Sequence, residues 1–272
     1  MTGALDAFWT VFVREVRAAS RTRTYALLAL AVTAVVFGVA RGGSGPAAGY
    51  VPTVVDLLLV VELLVPAVAF AVGYRAVSDD AERGRLEVLD TYPLPAPSYV
   101  GGVYAGRAVV LLAIVSAPLA LLGLHVATTA APETSVFATH RGVDSPILFV
   151  RFLVLTAAFA LVSLAAAVAL SALAGSRSRA IVLALVGLLV VMVGADIAVV
   201  GALIGGVGPD LDALLALSPT SAYRGLVFES VLYVAFADRS AFVSVPVATA
   251  SLVVWWLGSL FVATLGVHTR TG

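Results

Sequence analysis

Three carboxylates fall inside long apolar runs of this sequence: Asp56 and Glu62 in Thr53–Tyr74, and Asp196 in Ile181–Gly206. Ionisable groups at such depth are costly and mark pathways for ions or substrates. Glu62 falls near mid-depth, and Asp56 and Asp196 nearer one face. Together they could line a cavity that prefers cations. The alternative is that each is protonated or hydrogen-bonded inside a helix bundle, with Arg151 or span hydroxyls as partners. Other reactive groups are sparse. Histidine occurs at His125, His140 and His268, methionine at Met1 and Met192, and cysteine not at all. Soft-metal sites want clusters of these residues, so no metal site is expected. Disulfides, Cys-ligated zinc and thiol nucleophiles are excluded. No histidine sits beside a serine, and Asp56 and Asp196 lack flanking Gly or Tyr patterns, so the paired groups of an intramembrane hydrolase are missing. All sixteen basic residues are arginine. Without lysine the chain has no Walker motif and no Schiff-base chemistry, and no cofactor is expected.

The elements that would hold these acids are membrane spans. The composition is 61% hydrophobic and 12% charged, with mean hydropathy +1.07. Soluble domains are about a quarter charged. A helix needs about 20 apolar residues to cross the hydrocarbon core. Six candidates satisfy this: Tyr25–Ala40, Thr53–Tyr74, Val103–Ala127, Ile147–Ala174, Ile181–Gly206 and Phe242–Val267. Eleven arginines fall in segments on one side and five on the other, which places both termini in the cytoplasm. Net charge is zero, so there is no basic footprint for nucleic acid. The sequence therefore predicts an all-α membrane protein.

Three further features shape that outline. Residues 1–24 read as an interfacial helix, with Phe8, Phe12 and Val16 recurring every four residues on its apolar side; a solvated tail is the alternative. Residues 207–241, with Ser218-Pro219-Thr220-Ser221 as a helix stop and restart, read as an outer re-entrant hairpin too short to span; a seventh crossing is the alternative. Small residues recur at Ser163, Ala167, Ser171 and Gly175, and at Gly187, Gly194 and Gly201. Such rows let helices approach closely, either within the bundle or at a dimer seam. Pro66 and Pro118 should kink their spans.

The most polar passage is "SDDAERGRLEVLDTYPLPAPSYVGG", Ser78–Gly102. Ser78 can cap a short helix whose first turn holds Asp79, Asp80 and Glu82, where the dipole favours negative charge. Leu86, Val88 and Leu89 give it an apolar surface, and Pro93, Pro95 and Pro97 forbid helix continuation until Ser98 or Gly102. An apolar knob outside the bilayer suits a docking partner; a solvated linker is the alternative.

The run Glu82-Arg83-Gly84-Arg85-Leu86-Glu87-Val88-Leu89 followed by Pro93 resembles the cytoplasmic segment of ABC-2 type exporter permeases. In that family the segment reads roughly E-x-G-T-L-E-x-L-x-x-x-P and ends in Gly-Lys. Glu82, Gly84, Leu86, Glu87, Leu89, Pro93 and Gly102 match, whereas Arg85 and Val103 depart. The resemblance implies a single permease domain over residues 1–272, with residues 75–102 as the coupling segment. It also implies separate ATPase subunits, a second permease copy as homodimer or heterodimer, and a prokaryotic plasma membrane. Pro219, Tyr223 and Arg224 are similar to a segment of the permeases of nitrous-oxide-reductase maturation, which would imply a role in copper-enzyme assembly. An ion-coupled secondary transporter is the alternative function, and it predicts inverted repeats with matching broken helices, which the two halves do not show.

Overall fold

The computed structural model describes residues 2–43, 45–84, 95–130, 144–204, 218–233 and 244–271. Every regular element among them is helical. Helix α1 (Thr2–Ser20) leads into α2 (Arg23–Gly42), and a 3-10 turn at Pro46–Ala48 precedes α3 (Tyr50–Gly73). A short α4 (Ser78–Glu82) follows, then α5 (Ala96–Thr129), α6 (Pro146–Leu173) and α7 (Arg177–Ile204). Helix α8 (Pro219–Val227) runs into a π-type turn at Phe228–Leu232, and α9 (Val245–Thr271) ends the chain.

Six of these helices are long and apolar enough to cross a membrane: α2, α3, α5, α6, α7 and α9. They are the six expected spans, with ends shifted by a few residues. The core lies around α3 and α6. In α6 61% of the most apolar stretch is buried within the protein, against 11% in α7, so α7 is peripheral. Helix α6 packs on α3, α5 and α9. At the α3–α6 crossing, a Cβ on Gly73 would stand 2.6 Å from the Ala167 Cβ. Ser163, Ala167 and Ser171 are all buried, so the first small-residue row is a packing face. Gly187 of the second row meets Leu170 and Phe70, but Gly194 meets only Val190 of its own helix and Gly201 has nothing within 4 Å.

Polar contacts stitch the spans where side chains meet. Trp256 Nε1–H of α9 donates to the Tyr104 hydroxyl of α5 at 2.7 Å, and that hydroxyl donates to the Leu161 carbonyl of α6 at 3.0 Å. Unsatisfied groups are expensive in an apolar medium, so such relays fix register. Pro66 and Pro118 lie inside α3 and α5. Pro66 has no N–H to give the Glu62 carbonyl one turn back, so α3 lacks one rung there.

Two local expectations are corrected. Helix α5 starts at Ala96, so Pro97 lies within its first turn rather than blocking it; the first N–H groups of a helix have no intrahelical partner, and proline loses nothing there. Ser78 does not cap α4. It is the first helical residue, after Val77, and the acceptor is Ser171 of α6, whose Oγ takes the amides of Val77 at 3.0 Å and Ser78 at 3.2 Å. In α1 the residues buried against the protein are Ala7 and Val11, next to Phe8, Phe12 and Val16 of the apolar side, which are half-buried. The reason is on α5. A Cβ at Gly102 would lie 2.8 Å from the Phe8 carbonyl oxygen and the Val11 Cβ, and one at Gly106 2.5 Å from the Glu15 Cβ. These two glycines form a groove into which the α1 backbone sinks, with Val11 and the stem of Glu15 nearest its floor.

Candidate functional site

At the end of the bundle that carries α1, four elements meet through charges. Arg14 of α1 pairs with Asp80 of α4 at 2.6 Å and with Glu15 at 3.0 Å. The Tyr99 hydroxyl of α5 donates to the same Asp80 oxygen at 2.8 Å. Arg107 of α5 reaches Glu15 at 3.2 Å and also donates to the Val72 carbonyl at the end of α3. Arg75 pairs with Asp79. Burial alone would lower the Arg14 pKa, but the Asp80 carboxylate overrides it and the net shift is upward. Asp80 therefore does not serve mainly as a dipole partner of α4. It is the hub that ties α1 and α5 to the start of the polar segment. A cleft of about 430 Å³ opens beside it, lined in part by Glu15, Tyr74, Asp79, Arg83 and Arg107.

Two residues of the predicted coupling motif lie in this region. Glu82 ends α4, and Gly84 follows with φ +65°. That left-handed conformation closes the helix and suits glycine, which explains a glycine two positions after the glutamate. Leu86, Glu87, Leu89 and Pro93 lie outside the described residues.

The second cluster is deeper. Arg224 of α8 grips Glu62 of α3 through Nε at 2.8 and 3.0 Å and through Nη2 at 2.6 Å. The Glu62 side chain is 3% exposed and that of Arg224 36%. The planar guanidinium meets both carboxylate oxygens, so the buried acid has its lone pairs satisfied inside the bundle. Helix α8 is seated so that Arg224 points this way. Ser218 caps it by accepting from the Thr220 amide at 3.2 Å, and Pro219 occupies the first turn. Thr220 Oγ1 donates to the Val191 carbonyl of α7 at 2.8 Å. Tyr223 stacks on Phe159 with centroids 4.6 Å apart, and its hydroxyl shares a 2.9 Å bond with Thr156 of α6. The expected helix restart at Ser218-Pro219 is therefore present. Arg151, the partner anticipated for an intramembrane acid, instead donates to the Ser230 carbonyl at 3.1 Å.

A groove of about 540 Å³ opens beside the pair, walled by Val55, Leu58, Leu59, Phe228, Leu232 and Tyr233. Phe228 and Leu232 belong to the π-type turn, a local widening of the kind often found at functional positions. The three acids expected to act together have different surroundings. Asp56 lies against Gly43, at the link between α2 and α3. Glu62 lies in the Arg224 fork, and the Asp196 side chain falls outside the described residues. By sequence Arg224 falls in the hairpin and in the Pro219, Tyr223 and Arg224 resemblance, with no acid marked as its partner.

No cluster of three or more His, Asp or Glu able to hold a metal ion occurs among the described residues. In comparisons with known proteins, residues 9–268 match a family described as ABC-2 family transporter protein. No curated protein matches the chain.

Proposed function

The chain belongs to the ABC-2 family of transporter proteins, and on that premise we propose that it is the membrane-spanning half of an ATP-driven exporter. Membership makes it a multi-pass permease that pairs with an ABC ATPase subunit. The proposal adds direction, orientation and mechanism. Both termini face the cytoplasm, hydrolysis occurs on the separate subunit, and residues 75–102 receive its stroke through Glu82, Gly84, Leu86, Glu87, Leu89 and Pro93. Two permease copies form the working unit.

The observation that carries this reading is the Asp80 hub. A segment that is pushed must be fastened to something that moves. Asp80 fastens its start to Arg14 of α1 and Tyr99 of α5, and Arg107 ties those two helices to the end of α3, so a force on it acts on several spans rather than on a loose loop. The groove beside Glu62 and Arg224 supports a cargo route. With Glu62 already compensated, its apolar walls favour cargo with apolar surface over a bare cation. Pro219, Tyr223 and Arg224 all serve to seat α8, so their likeness to nitrous-oxide-reductase maturation permeases reports that helix, and the proposal assigns no cargo from it.

The test is purification of the C-terminally tagged chain in mild detergent with mass spectrometry of what accompanies it. A stoichiometric Walker-containing ATPase, lost when Leu86 and Leu89 are both changed to Asp, is the expected result. An ATPase retained in that double variant would remove the coupling role from the segment. Transport that persists without any ATPase would favour an ion-coupled secondary carrier.

A further inference from the structure

Helix α1 and the turn after it carry a stripe at four-residue spacing: Leu5, Trp9, Val13, Arg17 and Arg21. Both its ends face away from the protein, and Val13 between them is half-buried. Leu5 is 64% and Trp9 56% exposed, and Arg17 and Arg21 are exposed as well. The opposite edge, Ala7 and Val11, is the one sunk into the α5 groove. Arg14, Arg75, Arg107 and Arg224 each have an acidic partner, whereas Arg17 and Arg21 form no ion pair among the described residues. A shallow groove of about 830 Å³ runs along the stripe between Trp9, Val13, Arg14, Arg17 and Arg21.

The depth of α1 follows from α5. Its 34 residues extend to about 51 Å at a rise of about 1.5 Å each. The hydrocarbon core is about 30 Å thick, so about 10 Å, or roughly seven residues, projects at each end. Of the glycines that hold α1, Gly102 is the seventh residue of α5 and Gly106 the eleventh, so they straddle that depth. Helix α1 is therefore set at the boundary between acyl chains and headgroups, with apolar side chains at one end of its outer stripe and exposed guanidinium groups at the other. We propose that this stripe binds an acidic phospholipid, with Leu5 and Trp9 among the upper acyl chains and Arg17 and Arg21 on the phosphate. Two guanidinium groups offer paired donors to phosphate oxygens.

The full-length protein is reconstituted in nanodiscs of phosphatidylcholine with one-fifth phosphatidylglycerol. Dibromo acyl chains are carried either on the phosphatidylglycerol or on an equal amount of phosphatidylcholine. Trp9 fluorescence is isolated by difference against W9F. Quenching by brominated phosphatidylglycerol is expected to be roughly twofold stronger or more, since each basic residue near the surface attracts acidic lipid by an appreciable fraction of its binding energy. That excess should vanish in R17Q/R21Q, and in about 1 M salt, where the screening length is about 3 Å. Equal quenching by the two lipids in the unaltered protein would overturn the proposal. So would loss of the excess on adding inorganic phosphate at constant ionic strength, because the stripe would then be a general phosphate site. Should R17Q/R21Q fail to fold, the salt series on the unaltered protein decides.

Discussion

Glu62 and Arg224 stand 162 positions apart in sequence and share three hydrogen bonds of 2.6 to 3.0 Å. The pair joins the middle of α3 to a helix that does not span. It does so beside Pro66, where α3 is already short of one backbone bond. Removing Arg224 alone strands a buried carboxylate. We predict that Arg224→Ala costs about 3 kcal/mol, the low end for a broken buried pair because Arg224 is partly exposed. The double change Glu62→Gln with Arg224→Gln should cost clearly less. Thermal unfolding in detergent measures both, and equal losses in the single and double variants would show that the pair is not coupled.

The α1–α5 crossing gives a graded test on three neighbouring glycines. A Cβ at Gly101 would lie 3.5 Å from the Phe8 ring, an ordinary contact, whereas Gly102 and Gly106 leave only 2.8 and 2.5 Å. Gly101→Ala should leave α1 docked. Gly102→Leu and Gly106→Leu should lift it and speed tryptic cleavage after Arg17 and Arg21 several-fold. If all three variants are cut at the same rate, α1 is not held by this groove.

Ser171→Ala removes the acceptor for two amides, those of Val77 and Ser78. Loss of a helix cap costs about 1 kcal/mol. The expected signature is local: faster hydrogen exchange over residues 77–80 with little change in the core of α6. Unchanged exchange there would mean that water replaces the hydroxyl at no cost.

Glu87→Arg tests the stroke. The variant should insert and bind the ATPase, hydrolyse ATP, and transport little. Full transport by that variant would move the coupling role elsewhere in residues 75–102.

How far the sequence carried the architecture differs between elements. The six spans were legible because each crossing needs a long apolar run, and runs of that length are hard to hide. Their ends were less so. Pro97 reads as a barrier yet sits harmlessly in the first turn of α5, because position within a helix decides what proline costs. Gly102 was noticed as the end of a motif, but its physical role is to admit α1, and a close approach cannot be seen without the second backbone. Glu62 was legible as an unusual buried acid. Its partner was not, since the Arg224 contact depends on how Ser218, Thr220 and Tyr223 seat α8 against α6 and α7. The run from Glu82 was legible as a motif by resemblance, and Gly84 at φ +65° gives a structural reason for its glycine.

Helix α6 also sets an order of events. The first turn of α3 is capped from afar: Asp144, just ahead of α6, accepts the amides of Tyr50 and Val51 at 2.9 Å each. Ser171, near the other end of α6, does the same for α4. Both partners lie 94 residues downstream of the first amide they satisfy. A ribosome adding about 5–20 residues per second needs roughly 5–20 s to cover that distance. During that interval the nascent chain holds α3 in the membrane with both polar margins open, and whatever shelters them then, whether water, lipid headgroups or an insertion factor, must yield its place when α6 arrives.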